Sequence, residues 1–200
     1  DADPTSGYRP GDLVGKAIGV TSGTNGEYFL DAFLIGRNIR KDSVRIIDML
    51  PEEMLEGLSS GRIAAAAIWN PTLLHIAAAL GERSLVLFGE DVYTEYFCLA
   101  GSESFARGNP EAMRGVMRAL IRAEDFFKRN PGKARTSISA YANMDQAGLL
   151  AVLGFFRFKL GLDQSLLLIL EDETRWAMGS RAAGRLPMPN HMDYIYADAL

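Results

Sequence analysis

Strand-like and helix-like patterns alternate along residues 16–88, and this alternation constrains the fold more than any other feature of the sequence. Short apolar segments lie between longer segments in which apolar residues recur at helical spacing. The predicted strands cover 16–20, 43–50, 62–69 and 84–88, and the predicted helices cover 25–37, 51–58 and 71–80. Strands joined through helices at this spacing predict an α/β fold with a parallel sheet and right-handed crossovers.

The pattern changes after residue 93. Segment 94–100, TEYFCLA, predicts one more buried strand, which contains Cys98. Everything after it is predicted to be helical, in segments that cover 109–130, 134–143, 144–161 and 163–182. We therefore expect two parts: an α/β lobe over 13–92, followed by a return strand and helices over 93–200.

The first candidate binding loop is TSGTNG, residues 21–26, between the first predicted strand and the first helix. Ser22, Thr24 and Asn25 supply hydroxyl and amide groups, and Gly23 lets a ligand approach the backbone. The free N–H groups at the start of the helix would hold an anion or a polar ligand. A plain turn with a helix N-cap is the alternative interpretation.

The second candidate loop contains Trp69 and Asn70, directly after the third predicted strand. In an open parallel sheet, ligands bind beyond the carboxyl ends of the strands, where neighbouring connections leave to opposite faces. With the strand order two-one-three, both loops would border one crevice, with Trp69 as an apolar wall and Asn70 as donor and acceptor. The alternatives are packing of Trp69 in the core and N-capping of the next helix by Asn70. The return connection over 89–97 is predicted to bring Tyr93, Thr94 and Glu95 near the same edge, and a surface acid on a strand is the alternative interpretation of Glu95.

Composition excludes several classes of function. The net charge is −4 and the isoelectric point is near 5.3, which argues against binding to nucleic acid phosphates. The single cysteine excludes an internal disulfide and a cysteine-rich zinc site. The motifs of nucleophile elbows, zinc-protease helices and phosphate-binding P-loops are missing from the sequence. We therefore predict a protein that is not an enzyme, with no catalytic residue, metal site or cofactor.

Four segments in order resemble a known family. They are DLVGKAIGV-x-SGTNGEYFLDAFL, LPEEMLEGLSSGRIAAAAIWNP, NPEAMRGVMRALIRAEDFFKRNP and DETRWAMGSRA…PNHMDYIYADAL. Together they resemble the nitrate-, sulfonate- and taurine-type periplasmic substrate-binding proteins of ABC importers, from about Asp12 to Leu200. This group includes the aliphatic-sulfonate and thiamine-precursor binding proteins.

The resemblance implies a type II periplasmic-binding-protein fold, in which two α/β lobes trap a small organic or anionic ligand in the cleft between them. It implies a membrane permease as partner and a periplasmic or extracytoplasmic location, although residues 1–12 show no signal-peptide pattern. Ser22, Gly23 and Thr24 match the family's cleft-facing turn. Trp69 and Asn70 match an aromatic-acid-proline position, with Asn70 in place of the acid, which weakens the case for a ligand amine and suits an anion.

Several alternatives stay open at this point. The opening strands and helices of the family's first lobe have no counterpart, so the chain is either a fragment or a reduced form. The same module could be the ligand-sensing input domain of a membrane receptor, or an enzyme of pyrimidine biosynthesis on the same fold. Sulfonate, nitrate, a pyrimidine and an aromatic carboxylate are all candidate ligands. Apolar surface left by an incomplete lobe would favour a homodimer.

Overall fold

The computed structural model describes residues 9–89, 91–180 and 187–197. The chain divides into two compact units, with the boundary between Glu95 and Tyr96. The first unit contains a parallel sheet with helices, and the described part of the second unit is helical. This architecture confirms the predicted α/β fold, while the predicted lobe boundaries at 13–92 and 93–200 stay a prediction.

The sheet of the first unit has three parallel strands, β1 (Ala17–Val20), β2 (Arg45–Asp48) and β3 (Ala65–Ala67). Their order is β2-β1-β3, as the sequence predicts. Val20 at the end of β1 lies opposite Asp48 on β2 and Ala67 on β3. The three strands therefore end at one edge of the sheet, and the connections that follow them begin side by side.

The helices of the first unit cover both faces of the sheet. They are α1 (Asn25–Gly36), α2 (Met54–Ser59) and α3 (Thr72–Leu80). On one face, Leu30 and Leu34 of α1 pack with Ile18 and Val20 of β1. On the other face, residues of α2 and α3 form a second cluster with Ala17. The connection after β1 thus leaves to one face, and the connections after β2 and β3 leave to the other.

Glycine at the centre of the sheet allows the second cluster to pack closely. A Cβ atom built on Gly19 would lie 2.7 Å from Cδ1 of Ile63 and 3.0 Å from Sδ of Met49. A Cβ atom on Gly57 of α2 would lie 2.9 Å from Cε of the same Met49. Ile63 and Met49 are almost fully buried, so their side chains fill the space that the two glycines leave.

Residues with positive φ end the first helices where the sequence predicts. Asn38, two residues after α1, has a φ of 56°, and asparagine tolerates this left-handed conformation. Gly61, after α2, and Gly81, after α3, have φ values of 78° and 56°. These positions confirm the predicted ends of the three helices.

The described part of the second unit contains five α-helices. They are α4 (Glu103–Gly108), α5 (Pro110–Arg129), α6 (Pro131–Ala142), α7 (Gln146–Leu153) and α8 (Gln164–Ser180). The sequence analysis missed α4, whose start is capped by the Ser102 hydroxyl through the Phe105 N–H. The helix predicted over 144–161 ends at Leu153, and the last two residues of the helix predicted over 163–182 lie outside the described residues.

The predictions of strands at 84–88 and 94–100 were wrong. Both segments are described and neither forms a strand. A strand needs the backbone of a neighbouring strand as its hydrogen-bonding partner, and these segments are not paired with the described sheet. Their apolar side chains are accordingly exposed, with Phe97 at 77% and Leu99 at 70%, and Cys98 is exposed rather than buried.

Among the described residues, no helix is both long and apolar enough to cross a bilayer.

Candidate functional site

The candidate site lies at the carboxyl edge of the sheet. The β1–α1 connection carries Ser22, Gly23 and Thr24, with Asn25 as the first residue of α1, and the β3–α3 connection carries Trp69 and Asn70. Because α1 and α3 lie on opposite faces, the ends of β1 and β3 form a topological switch point, which is where open α/β sheets bind ligands. All six predicted site residues therefore lie at the edge where the sequence analysis expects a ligand.

Side-chain hydrogen bonds fix the first loop to the sheet and to itself. The Thr21 hydroxyl donates to the carbonyl oxygen of Met49, just beyond β2, at 2.8 Å. The Thr24 hydroxyl donates back to the carbonyl oxygen of Thr21 at 2.6 Å and does not cap α1. Gly23 between them has a φ of 73°, which favours glycine. The loop therefore has a defined shape within the first unit.

Two carboxylates accept hydrogen bonds from backbone N–H groups that were predicted to be free to bind a ligand. The Ser22 N–H donates to Oδ1 of Asp48 at 2.9 Å, and the Gly23 N–H donates to Oε2 of Glu27 at 2.6 Å. The pKa of Asp48 lies below its ordinary value, first because of the backbone hydrogen bond from Ser22 and then because of a bond from the Ser22 side chain. Asp48 is therefore held in its charged form.

The second loop lies directly against the first turn of α1. A Cβ atom on Gly26 would lie 3.5 Å from Cζ3 of Trp69 and 3.4 Å from the carbonyl oxygen of Ala67. Trp69 as a whole is half-buried. The glycine at position 26 thus allows the indole to approach the loop that carries Ser22 and Thr24.

Asn70 has an unusual environment. Its Oδ1 atom is buried, and the described residues provide no hydrogen-bond partner for it. The alternative interpretation of Asn70 as the N-cap of the next helix was wrong, because Pro71 holds that position and no side chain caps α3. The peptide bond between Asn70 and Pro71 is cis. A buried acceptor without a donor costs free energy.

Residues 91–95 lie along α1. The Tyr93 ring meets Tyr28 edge-on, with centroids 5.1 Å apart. The Arg37 guanidinium pairs with the carboxylate of Asp91 at 2.7 Å, which lowers the pKa of Asp91, chiefly through that hydrogen bond. At the other end of the helix, the amide of Asn25 donates to Oε1 of Glu95. Glu95 thus reaches the candidate site.

Two acids beside the first loop, Glu27 and Asp48, were not predicted as part of the site. Glu95 is predicted near this edge, and its contact with Asn25 agrees with that position. The signal for Asp48 was present, since its position at the end of β2 places it at the same sheet edge. The contact between Asn25 and Glu95 spans 70 positions, and local sequence patterns carry no information on it.

A separate recess of about 540 Å³ lies in the second unit and is lined by Arg107, Pro110, Arg114 and Tyr196. Each arginine forms an ion pair with an acid of its own helix, Arg107 with Glu103 and Arg114 with Glu111. The recess contains none of the predicted site residues. Within the described residues, no group of three or more His, Cys, Asp or Glu side chains is arranged to hold a metal ion.

Comparison with solved structures supports the fold. The periplasmic aliphatic sulphonate binding protein SsuA of Escherichia coli superposes with a TM-score of 0.75 at 14% identity, over 96% of this chain and 65% of that one. The alkanesulfonate-binding protein SsuA of Xanthomonas axonopodis pv. citri, bound to MOPS, gives 0.67 at 18% identity, over 90% of this chain and 63% of that one. The fold is therefore that of the periplasmic binding proteins.

Sequence comparison gives the family. Proteins of Brucella abortus (strain 2308) and Brucella suis biovar 1 (strain 1330), each described only as a binding protein, are 30% identical over 142 residues. The match covers 69% of this chain and 44% of each relative, so the chain spans less than half the length of these relatives. The family model described as NMT1/THI5 like matches residues 7–134. The predicted resemblance is confirmed: the chain belongs to the NMT1/THI5-like family of binding proteins.

Proposed function

We propose that this chain is the solute-binding part of an ABC importer and captures a small organic or anionic ligand at the carboxyl edge of its sheet, without chemistry. One observation carries the proposal: the polar loop at Ser22–Asn25 and the Trp69–Asn70 loop converge at a switch point of the sheet. The convergence combines a half-buried aromatic ring with hydroxyl and amide groups, which is the usual composition of a small-molecule site.

The relatives support the choice of function. The family members and fold neighbours are named as binding proteins, and the two sulfonate-binding neighbours take small anionic molecules. A third neighbour, from Staphylococcus aureus, is described as the ligand-binding component of an ABC-type import system. We therefore place a membrane permease as the partner and expect a periplasmic or extracytoplasmic location.

A thermal-shift screen of the purified chain tests the proposal. Sulfonates, nitrate, thiamine precursors, aromatic acids and organic amines are added in turn. A ligand at about 100 times its Kd stabilises the native state by roughly 2.7 kcal/mol if it binds only that state. The proposal predicts at least one ligand, and silence across the screen from a folded sample would contradict it.

A pair of serine variants then locates the site. Ser22→Ala removes the hydroxyl at the loop, and Ser59→Ala is the matched control on an exposed position at the end of α2. Loss of one ligand hydrogen bond should weaken binding by about two- to tenfold in Ser22→Ala. Ser59→Ala should bind as the unchanged protein does. Equal affinities in all three proteins would show that Ser22 is outside the site.

We also propose a homodimer, formed through apolar surface of the second unit. Phe97, Leu99 and Phe156 are exposed there, and the Phe97 and Phe156 rings lie 6.0 Å apart. Association would remove this surface from water. Light scattering coupled to size-exclusion chromatography should give twice the chain mass, and a single chain mass at every concentration would contradict the homodimer.

A further inference from the structure

Carboxylates surround the first loop of the candidate site. Asp48 accepts from the Ser22 N–H, Glu27 from the Gly23 N–H and Glu95 from the Asn25 amide. Neither residues 21–26 nor residues 69–71 include a lysine or an arginine. Three negative charges therefore surround the first loop, and neither loop has a basic side chain of its own to offset them.

An anionic ligand would meet competition at this loop. Sulfonate and nitrate are bound by N–H donors that point at their oxygens, and the Ser22 and Gly23 N–H groups already have carboxylate partners at 2.9 and 2.6 Å. An anion would have to displace Asp48 and Glu27 and then remain close to both charges. Like charges in proximity disfavour each other.

The dipole of α1 does not reverse this balance. The amino end of a helix carries the equivalent of roughly half a positive charge. Three full negative charges lie around the same helix start, on Glu27, Asp48 and Glu95. The net field at the loop therefore favours a positive ligand group, although solvent screens part of it because Asp48 and Glu95 are exposed.

The opposite loop offers the features that a flat cation needs. The indole of Trp69 is half-buried, and an aromatic face attracts a cation through the ring quadrupole. The buried Oδ1 of Asn70 lacks a donor among the described residues. The Asn70 side chain would have to turn toward the loop for this oxygen to accept from a ligand N–H group, whereas a sulfonate or nitrate oxygen would add a second acceptor beside it.

From these contacts we infer that the site takes a planar organic cation with N–H donors, which stacks on Trp69 and donates to Asn70, in preference to sulfonate or nitrate. This inference rests on the proposed function and narrows its ligand class. It differs from the ligands in the names of the two sulfonate-binding neighbours, whose sequence identity to this chain is below 20%.

Three small molecules that share a phenyl ring and differ in the charge of its substituent test the inference. Benzamidine carries a planar cation with N–H donors, benzamide a neutral amide, and benzenesulfonate an anion. Calorimetric titration of the full chain should give the tightest binding for benzamidine and the weakest for benzenesulfonate, with a ratio of about tenfold or more between them. Equal affinities, tighter binding of benzenesulfonate, or no binding of benzamidine would overturn the inference.

A pair of charge-removing variants makes the test specific to the site. Glu95→Gln removes the carboxylate next to Asn25, and Glu82→Gln removes one from an exposed position after α3. Benzamidine should bind about fivefold more weakly to Glu95→Gln, because one charge near a ligand in water has an effect of this size. Its affinity for Glu82→Gln should not change. The same loss in both variants, or in neither, would contradict a local charge effect.

A third variant changes the other loop. Asn70→Asp adds a carboxylate next to Trp69 and should strengthen benzamidine binding while it weakens benzenesulfonate binding. Circular dichroism shows whether Asn70→Asp is folded, and the Glu95→Gln result decides the question if it is not. If the wider screen finds an anionic ligand while benzamidine fails, the proposed function stands and this inference falls. If that screen finds no ligand at all, both fall.

Discussion

The close packing around Gly19 allows a quantitative prediction about the sheet that carries the candidate site. Gly19→Ala would place a Cβ atom 2.7 Å from Cδ1 of Ile63, closer than real atoms approach. Overpacking of this kind costs about 1–3 kcal/mol, and alanine recovers about 0.5–1 kcal/mol relative to glycine in a strand. We expect a net loss of about 0–2.5 kcal/mol in the free energy of unfolding, with a central value of about 1 kcal/mol.

Ile63→Val provides the matched second change, because it removes the Cδ1 methyl group that the new Cβ would meet. Alone it should cost about 0.5–1.5 kcal/mol. In the double variant the added methyl group occupies the space that the deleted one left. The double variant should therefore lose about 1 kcal/mol less free energy of unfolding than the sum of the losses in the two single variants.

Urea denaturation followed by tryptophan fluorescence measures these free energies. The sequence has two tryptophans, Trp69 in the first unit and Trp176 in the second. In a Trp176→Phe background, Trp69 alone reports the unfolding of the unit that contains Gly19. If the single-variant costs add to within about 0.5 kcal/mol, Gly19 and Ile63 do not compete for one space, and the packing described above is wrong.

Three further predictions concern burial and charge. Ile63→Ala should lower the free energy of unfolding by about 2–5 kcal/mol, whereas Ile35→Ala, at a side chain 78% exposed, should change it by less than about 0.5 kcal/mol in the same urea experiment. The pKa of Asp48 is lower in the folded state, so its stabilisation is present above the unfolded pKa and is lost as pH falls through the folded value. Asp48→Asn should therefore be less stable than the unchanged protein at neutral pH, and urea unfolding across a pH series should show the difference closing in acid. The thiol of Cys98 should react with a chromogenic disulfide reagent as fast in the native chain as in denaturant, and protection in the native chain would place Cys98 in a buried strand after all.

The order of the sheet could be predicted from sequence because it follows from general rules. Right-handed crossovers and short connections leave few topologies for a strand-helix alternation, and the order β2-β1-β3 is one of the common ones. The same rules place Ser22 and Asn70 at one edge, because parallel strands end together. The helix ends could also be predicted, because asparagine and glycine, here Asn38 and Gly61, tolerate the positive φ that ends a helix.

Two kinds of feature could not be predicted, for different physical reasons. Segments 84–88 and 94–100 have the composition of strands, but a strand also depends on a partner that local composition does not reveal. Whether the Ser22 and Gly23 N–H groups are free or hydrogen-bonded depends on which side chains reach them. The backbone turn at Gly23 decides which side chains can do so. The sequence pattern indicates a loop whose N–H groups could bind an anion. Only the geometry shows that the carboxylates of Asp48 and Glu27 already accept hydrogen bonds from those N–H groups.

The most direct test of the site is an NMR titration of the isotope-labelled chain with the tightest ligand from the thermal-shift screen. The amide signals of Ser22 and Gly23 and the indole N–H signal of Trp69 should shift until the ligand saturates. The amide of Gly61, which lies before the amino end of β3, should stay in place and serves as the internal reference. Saturation with no shift at the two loops would contradict a binding site at the carboxyl edge of the sheet.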